Sequence, residues 1–389
     1  MQLDFHYYAT YCAAIIAGYT HAESMRIAYS AQFVDCCSRT LLGKIGGPKA
    51  AATTQLQLEL MEADTDLPGR QDITRIWSSF HFLPGDLEAT REGRCSKRFL
   101  RKYRLICKPN GELLKDTVEL ARGKGPEAAG LAMHVLADTW AHRWFAGTPS
   151  LAINNTNYYF YEIVPAGRGY EERQVKFNHN PGGIDDPEKG IYTNSLYQGD
   201  ENSIMNLGHG RAGHFPDYSY ARYKYLPSWG GYREILKNNP EDYYYAFCQM
   251  VYALECLRAD VAFRTDIYDF EVVKPWEAEI RSILEKRQID ACADWKAMGE
   301  RLSGCAIPDF DIAEYQAEYA EAEGEAKDST FLGSFMIAAL AQKSMVTNRI
   351  FTSGNNLAGV SVDFEKKGFR GIKDFSMLVR ARERRRTDG

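Results

Sequence analysis

The chain has 389 residues, of which 45% are hydrophobic and 25% charged, and its formal net charge is −5. This is ordinary globular composition, and the mildly acidic balance excludes a protein drawn to nucleic acid or acidic membranes by overall charge. The length exceeds the roughly 250 to 300 residues that usually share one hydrophobic core, so it predicts one large domain with insertions or two closely packed domains.

The first residues, MQLDFHYYATYCAAIIAGY, lack the basic residues and the small-residue cleavage site of a secretory leader. No apolar stretch approaches the ~20 residues that a membrane span needs. The nine cysteines include no C-x-x-C pair, which favours reduced thiols over a disulfide framework. We therefore expect a chain without a transmembrane segment that is cytoplasmic when synthesised, with signal-independent secretion left open.

Two helices are predicted in the first forty residues. Apolar residues recur at helical spacing until Gly18 interrupts them, and Thr20 with Glu23 forms a capping box that begins a second helix, from His21 to about Asp35. Asp35 would then lie at the C-terminal end of this helix, where the helix dipole disfavours an anion. Its carboxylate therefore needs a partner, and either an ordinary hydrogen bond or a metal ion would serve.

The rest of the chain alternates between helical and irregular patterns. Arg91 to Arg104 contains seven basic residues, which predicts a solvated helix face or a docking surface for phosphate groups. A helix pair is expected over residues 113 to 145, interrupted near Pro126, and helices return after Pro240. Between them, glycine, proline, asparagine and tyrosine dominate and no helical period persists. We divide the chain into a helical core (1–146), a loop-rich insertion (147–232), C-terminal helices (233–379) and a basic tail (380–389).

The central motif is H-x-x-x-D-x-x-x-H, formed by His134, Asp138 and His142 in the second helix of that pair. Four residues advance by about 400° on a helix, so the three side chains share one face. His134 and His142 would lie about 12 Å apart along the axis, with Asp138 between them, which suits two ions bridged by the carboxylate better than one. The alternative is a buried hydrogen-bonded network without metal, although burying these groups without an ion would be costly.

Further histidines add candidate ligands. Residues Gly208 to Asp217 hold His209 and His214 among glycines that allow a tight fold, and a turn with solvent-facing histidines is the alternative. His6 and His81 each stand among aromatic residues, as ligands or as hydrogen-bonded core residues. Imidazole and carboxylate donors together favour zinc, with two or more ions, and leave iron or manganese as alternatives.

The His134 helix resembles the zinc-dependent phospholipase C and fungal single-strand nuclease superfamily, in which H-x-x-x-D lies on a core helix and further histidines follow. Several stretches also resemble a bacterial family of unknown function: residues 4–11 (DFHYYATY), residues 27–35 (IAYSAQFVD), the His134 helix, and residues 208–217. The superfamily resemblance implies an all-α fold with a phospholipase C-like core and the long loop-rich insertion. It also implies ligand roles for His134, for a bridging Asp138 and for His142, with Asp35 and His81 as an upstream pair.

Two departures from the superfamily stand out. The superfamily places a later histidine and glutamate four residues apart on a helix, where this chain has His209, His214 and Asp217 in a glycine-rich segment. The superfamily also uses a processed N-terminus as a ligand, and no cleavage signal precedes His6 here. A third ion is therefore expected only if His6 replaces the amino group.

The resemblance implies metal-assisted hydrolysis of a phosphate-containing substrate, a lipid or a nucleic acid. Asp35 or Asp217 would act as the base that orients water, and Arg143 or Arg211 would offset the phosphate charge. The alternative is a non-catalytic helical scaffold or delivered effector in which metal only holds the insertion against the core. The oligomeric state does not follow from the sequence.

Overall fold

The computed structural model describes residues 1–156, 159–179, 183–194 and 206–360. It is 55% helical. A π-helical turn, Asp4–Ala9, leads into the first helix. The helices are α1 Thr10–Ile16, α2 His21–Cys36, α3 Arg39–Ile45, α4 Gln57–Ala63, α5 Leu67–Phe80, α6 Lys97–Tyr103, α7 Glu112–Ala121, α8 Pro126–Ala141, α9 Leu151–Asn154, α10 Asn239–Ala259, α11 Phe270–Val273, α12 Glu277–Glu285, α13 Cys292–Ser303, α14 Gln316–Glu321 and α15 Phe331–Thr352.

Within the described residues, six strands lie between α9 and α10. They are β1 Phe160–Ala166, β2 Gly169–Gln174, β3 Lys176–Asn178, β4 Ile191–Thr193, β5 Arg222–Tyr225 and β6 Ile235–Asn238. Four of them form an antiparallel sheet in the order β2-β1-β5-β6, with Phe160 opposite Tyr225 and Tyr223 opposite Lys237. The other two, β3 and β4, form a parallel pair.

The expectation of an all-α fold was wrong. The segment predicted to be a loop-rich insertion carries most of the sheet, because its residues alternate in burial with a period of two rather than 3.6. Phe160, Glu162 and Val164 are buried on one face of β1, and Tyr223 and Tyr225 are buried on β5. The tyrosines that made this segment look irregular are residues that favour strands. They pack in an aromatic cluster that covers one face of the sheet.

The main hydrophobic core is helical and includes residues from both sides of the sheet segment. Helix α8 lies at its centre and packs against α2, α7, α10 and α15. The capping box predicted at Thr20 and Glu23 is present, and α2 begins and ends close to the predicted positions. The helix pair α7 and α8 is also confirmed. Of the basic stretch, only Lys97–Tyr103 is helical, and the basic tail 380–389 lies outside the described residues.

Helices α2 and α8 approach each other at Gly130. A Cβ atom at this position would lie 2.1 Å from the carbonyl oxygen of Ile27, a distance that neither backbone can accept without moving. The Ser30 hydroxyl also donates a hydrogen bond of 2.6 Å to the Glu127 carbonyl across the same contact. The residue without a side chain therefore sets the spacing between the helix that carries Asp35 and the helix that carries His134.

Replacing Gly130 with alanine is expected to lower the free energy of unfolding by about 1–3 kcal/mol, the usual cost of overpacking a core. Urea denaturation would measure it. Gly43→Ala is the matched control, because a Cβ there would meet only the end of the Lys49 side chain at 3.5 Å. Equal stability of the two variants would contradict the close approach of α2 and α8.

No helix within the described ranges combines the length and apolar character required to cross a lipid bilayer.

Candidate metal centre

Helix α8 places His134 and Asp138 on one buried face, and His142 is the residue that caps its C-terminal end. His134 is 0% exposed, Asp138 1% and His142 4%. The Nε2 atom of His134 lies 3.2 Å from Oδ2 of Asp138. His142 leaves the helical path, and its Nδ1 lies 3.5 Å from the same carboxylate oxygen. The three side chains predicted to share a face therefore do so, with Asp138 between the two imidazoles.

Three other elements bring side chains to Asp138. His6 comes from the π-helical turn, Asp35 from the last turn of α2, and His81 from the residue that caps α5. His6 Nε2 lies 3.2 Å from Asp138 Oδ1, and His81 Nδ1 lies 3.3 Å from Asp138 Oδ2. Asp35 Oδ1 lies 3.7 Å from His81 Nδ1 and 3.9 Å from His134 Nε2. Residues more than a hundred positions apart thus surround one carboxylate.

A second carboxylate gathers residues from the glycine-rich segment. Asp217, in the short 3₁₀ helix Phe215–Asp217, lies 3.0 Å from His142 Nε2 through Oδ1 and 3.4 Å from His209 Nε2 through Oδ2. Phe82 stacks on the His142 ring, with 4.7 Å between the ring centroids. His142 therefore links the face of α8 to the glycine-rich segment between β4 and β5.

Three groups of potential ligand atoms result, each within 4.8 Å. They are His6 with His134 and Asp138, Asp35 with His81 and His134, and His142 with His209 and Asp217. We call these eight residues the His/Asp cluster.

The amino group of Met1 also lies in the His/Asp cluster. It is 2.9 Å from Asp138 Oδ1, 3.2 Å from Asp217 Oδ1 and 3.2 Å from His142 Nε2. Burial lowers its pKa, but Asp138, Asp217 and Asp35 together raise it to about 11. The sequence analysis did not predict Met1 as part of the site. The superfamily that the sequence resembles uses an N-terminal amino group as a ligand, and this could have pointed to Met1.

The orientation of the imidazoles tests whether the cluster fits a metal ion. His134, His142 and His209 each place Nδ1 within 2.7–2.8 Å of a backbone carbonyl oxygen. His81 places Nε2 3.1 Å from the carbonyl of Thr53. A carbonyl only accepts hydrogen bonds, so each of these nitrogens carries a proton, and the other nitrogen of the ring is the one that faces inward. This is the orientation that carbonyl partners impose on metal-binding histidines.

The inward-facing atoms lack protons to share. His134 Nε2 and His81 Nδ1 face each other at 3.3 Å, and both outer nitrogens already donate to carbonyls. Both nitrogens of His6 are buried without a well-aligned hydrogen-bond partner in the described part of the chain, although Nε2 is 3.2 Å from Asp138. Opposed lone pairs and carboxylates are stabilised by a cation between them. The donor set therefore fits metal ions.

The electrostatics agree with this fit. Burial lowers the pKa of His6, His134 and His209 to about 4, so these rings remain neutral at pH 7. Burial raises the pKa of Asp138, but His142 and the Met1 amino group outweigh it and hold that pKa well below its usual range. Neutral imidazoles and ionised carboxylates are the forms that ligate metals.

Residues 1–350 match the model of a family of unknown function, DUF6765. The chain belongs to this family. Neither the curated proteins nor the solved structures include a significant match.

Two residues predicted for the site of this DUF6765 member have partners elsewhere. Arg143 pairs with Asp242 at 2.7 Å and lies over the Trp144 ring, 4.1 Å from its centroid. His214, predicted as a ligand, belongs to none of the three groups within the described residues, and its side chain is 50% exposed. The local chain turns at Phe215–Asp217, so that Asp217 faces inward while His214 faces Asp185.

His214 is expected to titrate above its ordinary pKa of 6.5. Its Nδ1 bonds Asp185 Oδ2 at 3.0 Å, and this hydrogen bond raises the pKa against the opposing effect of burial. Asp185→Asn should return the pKa toward 6.5, as measured by NMR titration of the ring protons. Because protonated His214 pairs with Asp185 in the folded protein, this pairing adds to the free energy of unfolding below pH 6.5. The contribution is lost as pH rises through the folded-state pKa. A pKa unchanged in Asp185→Asn would contradict the pairing.

Proposed function

We propose that this protein is a metal-dependent hydrolase of phosphoesters. The observation that carries the proposal is the convergence of three His/Asp groups around Asp138, in a cluster that remains partly open. The Asp35 side chain is 31% exposed, His209 17% and Asp217 12%. Structural metal sites are closed by protein ligands, whereas catalytic sites keep a position for water or substrate. The partial exposure of these ligands favours the catalytic kind.

The three groups would hold two or more ions, and imidazole with carboxylate donors favours zinc over iron or manganese. Asp138 would link ions through its two oxygens, since Oδ1 faces His6 and Oδ2 faces His81 and His134. Paired ions of this kind lower the pKa of bound water and neutralise charge on a phosphoryl group. His6 lies beside Asp138 Oδ1 and would be the donor for a third ion, in place of the amino group that the superfamily uses.

Asp35 suits the role of general base. It has the most exposed side chain of the candidate ligands, so it can reach water. Burial of its carboxyl group raises its pKa, which increases its affinity for a proton taken from water. Asp217 is the less suitable base, because burial raises its pKa but His209 and the Met1 amino group hold it well below the usual range.

The resemblance to the phospholipase C and single-strand nuclease superfamily supports the phosphoester class. The order of the donors along the chain, an aspartate, a histidine, H-x-x-x-D and then a further histidine, is the same as in that superfamily. In this arrangement Asp217 takes the place of the superfamily's later glutamate, and lies beside His209 although no helix joins them.

The basic stretch around α6 would serve either class of phosphate-containing substrate, a nucleic acid or a lipid. Helix α6 and its approach are basic, with Arg91 lying over the Phe99 ring at 4.8 Å. A basic surface with aromatic rings binds single-stranded nucleic acid or lipid phosphate, and the two differ in their dependence on salt. If the protein binds single-stranded nucleic acid with an affinity that falls steeply as the salt concentration rises, and does not bind vesicles, the substrate is nucleic acid. Binding to phospholipid vesicles with a weak salt slope would assign lipid.

The experiment that tests the proposed function is a hydrolysis panel with zinc-, iron- and manganese-loaded protein. The panel contains a p-nitrophenyl phosphomonoester, a bis-p-nitrophenyl phosphodiester, p-nitrophenyl phosphorylcholine, single-stranded DNA, RNA and phosphatidylcholine vesicles. We expect the wild type to hydrolyse at least one substrate. This activity should be lost in His134→Ala and retained in His179→Ala, because the His179 imidazole contacts Asn194 and lies outside the cluster. Full metal occupancy without hydrolysis of any substrate would reject the proposal and favour the metal-stabilised scaffold.

A further inference from the structure

A cavity lies away from the His/Asp cluster, between α7, α8, α15 and the 3₁₀ segment Gly324–Ser329. Its volume is about 310 Å³, at the lower end of the range for small-molecule pockets. None of the candidate metal ligands lines it. Its contents would therefore be independent of the metal centre and of the function proposed for it.

The cavity is lined by polar and aliphatic residues, and the aliphatic parts of its wall come from three helices. They are formed by Leu120 and Ala121 from α7, Leu131 from α8, and Ile337 and Ala338 from α15, without an aromatic ring. Such walls accept a flexible hydrocarbon chain, and they offer no face on which an aromatic ligand would stack.

The floor and the mouth differ in polarity. Among the lining residues, Lys124 and Asp328 are exposed, whereas Thr117 and Gln342 are 2% and 1% exposed. We take the exposed pair as the mouth and the buried pair as the floor. The cavity therefore runs from a charged opening to a buried polar floor.

Gln342 is held in one orientation. Its Nε2 donates to the Ser79 carbonyl at 3.1 Å and to Thr117 Oγ1 at 2.9 Å. The Ser79 carbonyl can only accept, so the amide nitrogen must face it and the amide cannot be reversed. The Oε1 atom is then directed elsewhere, and it has no hydrogen-bond partner within the described ranges. A buried acceptor without a partner is costly, and a donor supplied by a ligand would remove that cost.

We propose that this cavity binds a small aliphatic molecule that carries a hydroxyl group, with the hydroxyl donating to Gln342 Oε1 and the hydrocarbon lying against the walls from α7, α8 and α15. The hydroxyl enters first, and the far end of the molecule lies at the mouth near Lys124 and Asp328.

Two isomers test the proposal. 1-Heptanol and 1-methoxyhexane have the same atoms and similar shapes, but only the alcohol donates a hydrogen bond. Isothermal titration calorimetry on the full chain should show 1-heptanol binding at one site, with the ether at least about tenfold weaker, the factor expected for one hydrogen bond to a buried acceptor. Gln342→Leu should make the two isomers bind alike.

A cavity-filling variant covers the case in which Gln342→Leu fails to fold. Ala338→Leu should abolish binding of 1-heptanol, whereas Ala317→Leu, the same change at an exposed position of α14, should leave it unaltered. Crystals soaked in 1-heptanol should show the alcohol beside Gln342. The proposal is overturned by absence of binding, by equal affinity for the two isomers, by unchanged binding to Ala338→Leu, or by a cavity that holds only water.

Discussion

Replacement of Asp138 by alanine is expected to lower metal affinity by more than about 100-fold and to abolish phosphoester hydrolysis. Changes to the groups that merely orient metal ligands cost 10- to 100-fold, and Asp138 would itself bridge ligand groups. Its Oδ1 lies near His6 and Met1, and its Oδ2 near His81 and His134. Removing this carboxylate therefore affects several groups at once. Elemental analysis of the purified variant, together with the hydrolysis panel, measures both effects.

The matched control for this experiment is His179→Ala, which removes a potential ligand outside the cluster. It should retain two or more equivalents of metal per chain and the activity of the wild type. Circular dichroism should show that Asp138→Ala keeps its helices, so that the loss of metal and activity cannot be attributed to unfolding. A folded Asp138→Ala protein with full metal content would show that the carboxylate is not a ligand. Wild type that takes up no zinc, iron or manganese would leave the cluster as a buried polar network.

Removal of metal by a chelator is expected to lower the melting temperature by about 10 °C. A bound ion stabilises the folded state by about 4 kcal/mol when its free concentration is 1,000 times Kd. The stabilisation by two such ions, divided by the unfolding entropy of a chain of this length, gives a change in melting temperature of about 10 °C. In the metal-free protein His81 Nδ1 and His134 Nε2 face each other at 3.3 Å, and the Met1 amino group lies 2.9 Å from Asp138 Oδ1. Differential scanning calorimetry with and without chelator provides the measurement.

Chelation must act through the His/Asp cluster for this explanation to hold. The melting temperature of Asp138→Ala should then respond little to chelator, and re-addition of zinc should restore the wild type alone. An equal response of wild type and variant would locate the stabilising ion elsewhere. If the wild type loses its metal without any change in melting temperature, a bound metal ion is not what stabilises the facing imidazole nitrogens.

Local sequence was sufficient where a pattern of a few residues decides the structure. The capping box at Thr20 and Glu23 begins α2, and glycines with Pro126 separate α7 from α8. The spacing of His134, Asp138 and His142 follows from the helical repeat alone, so their common face could be predicted. The strands could not be recognised from helical periodicity, because β1 and β5 bury alternate residues and contain the tyrosines that were taken as a sign of loop.

The sequence by itself determined the helical core and the histidine–aspartate stripe on α8, since these depend on spacing along one element. Only the tertiary structure decided which other residues meet that stripe. His209 and His214 are five residues apart with similar surroundings in sequence, yet His209 faces Asp217 while His214 pairs with Asp185. Asp35 reaches the stripe because α2 can pack closely on α8 at Gly130, and the first residues of the chain bring Met1 and His6 to Asp138. Such meetings depend on the packing of whole helices, which short-range patterns do not encode.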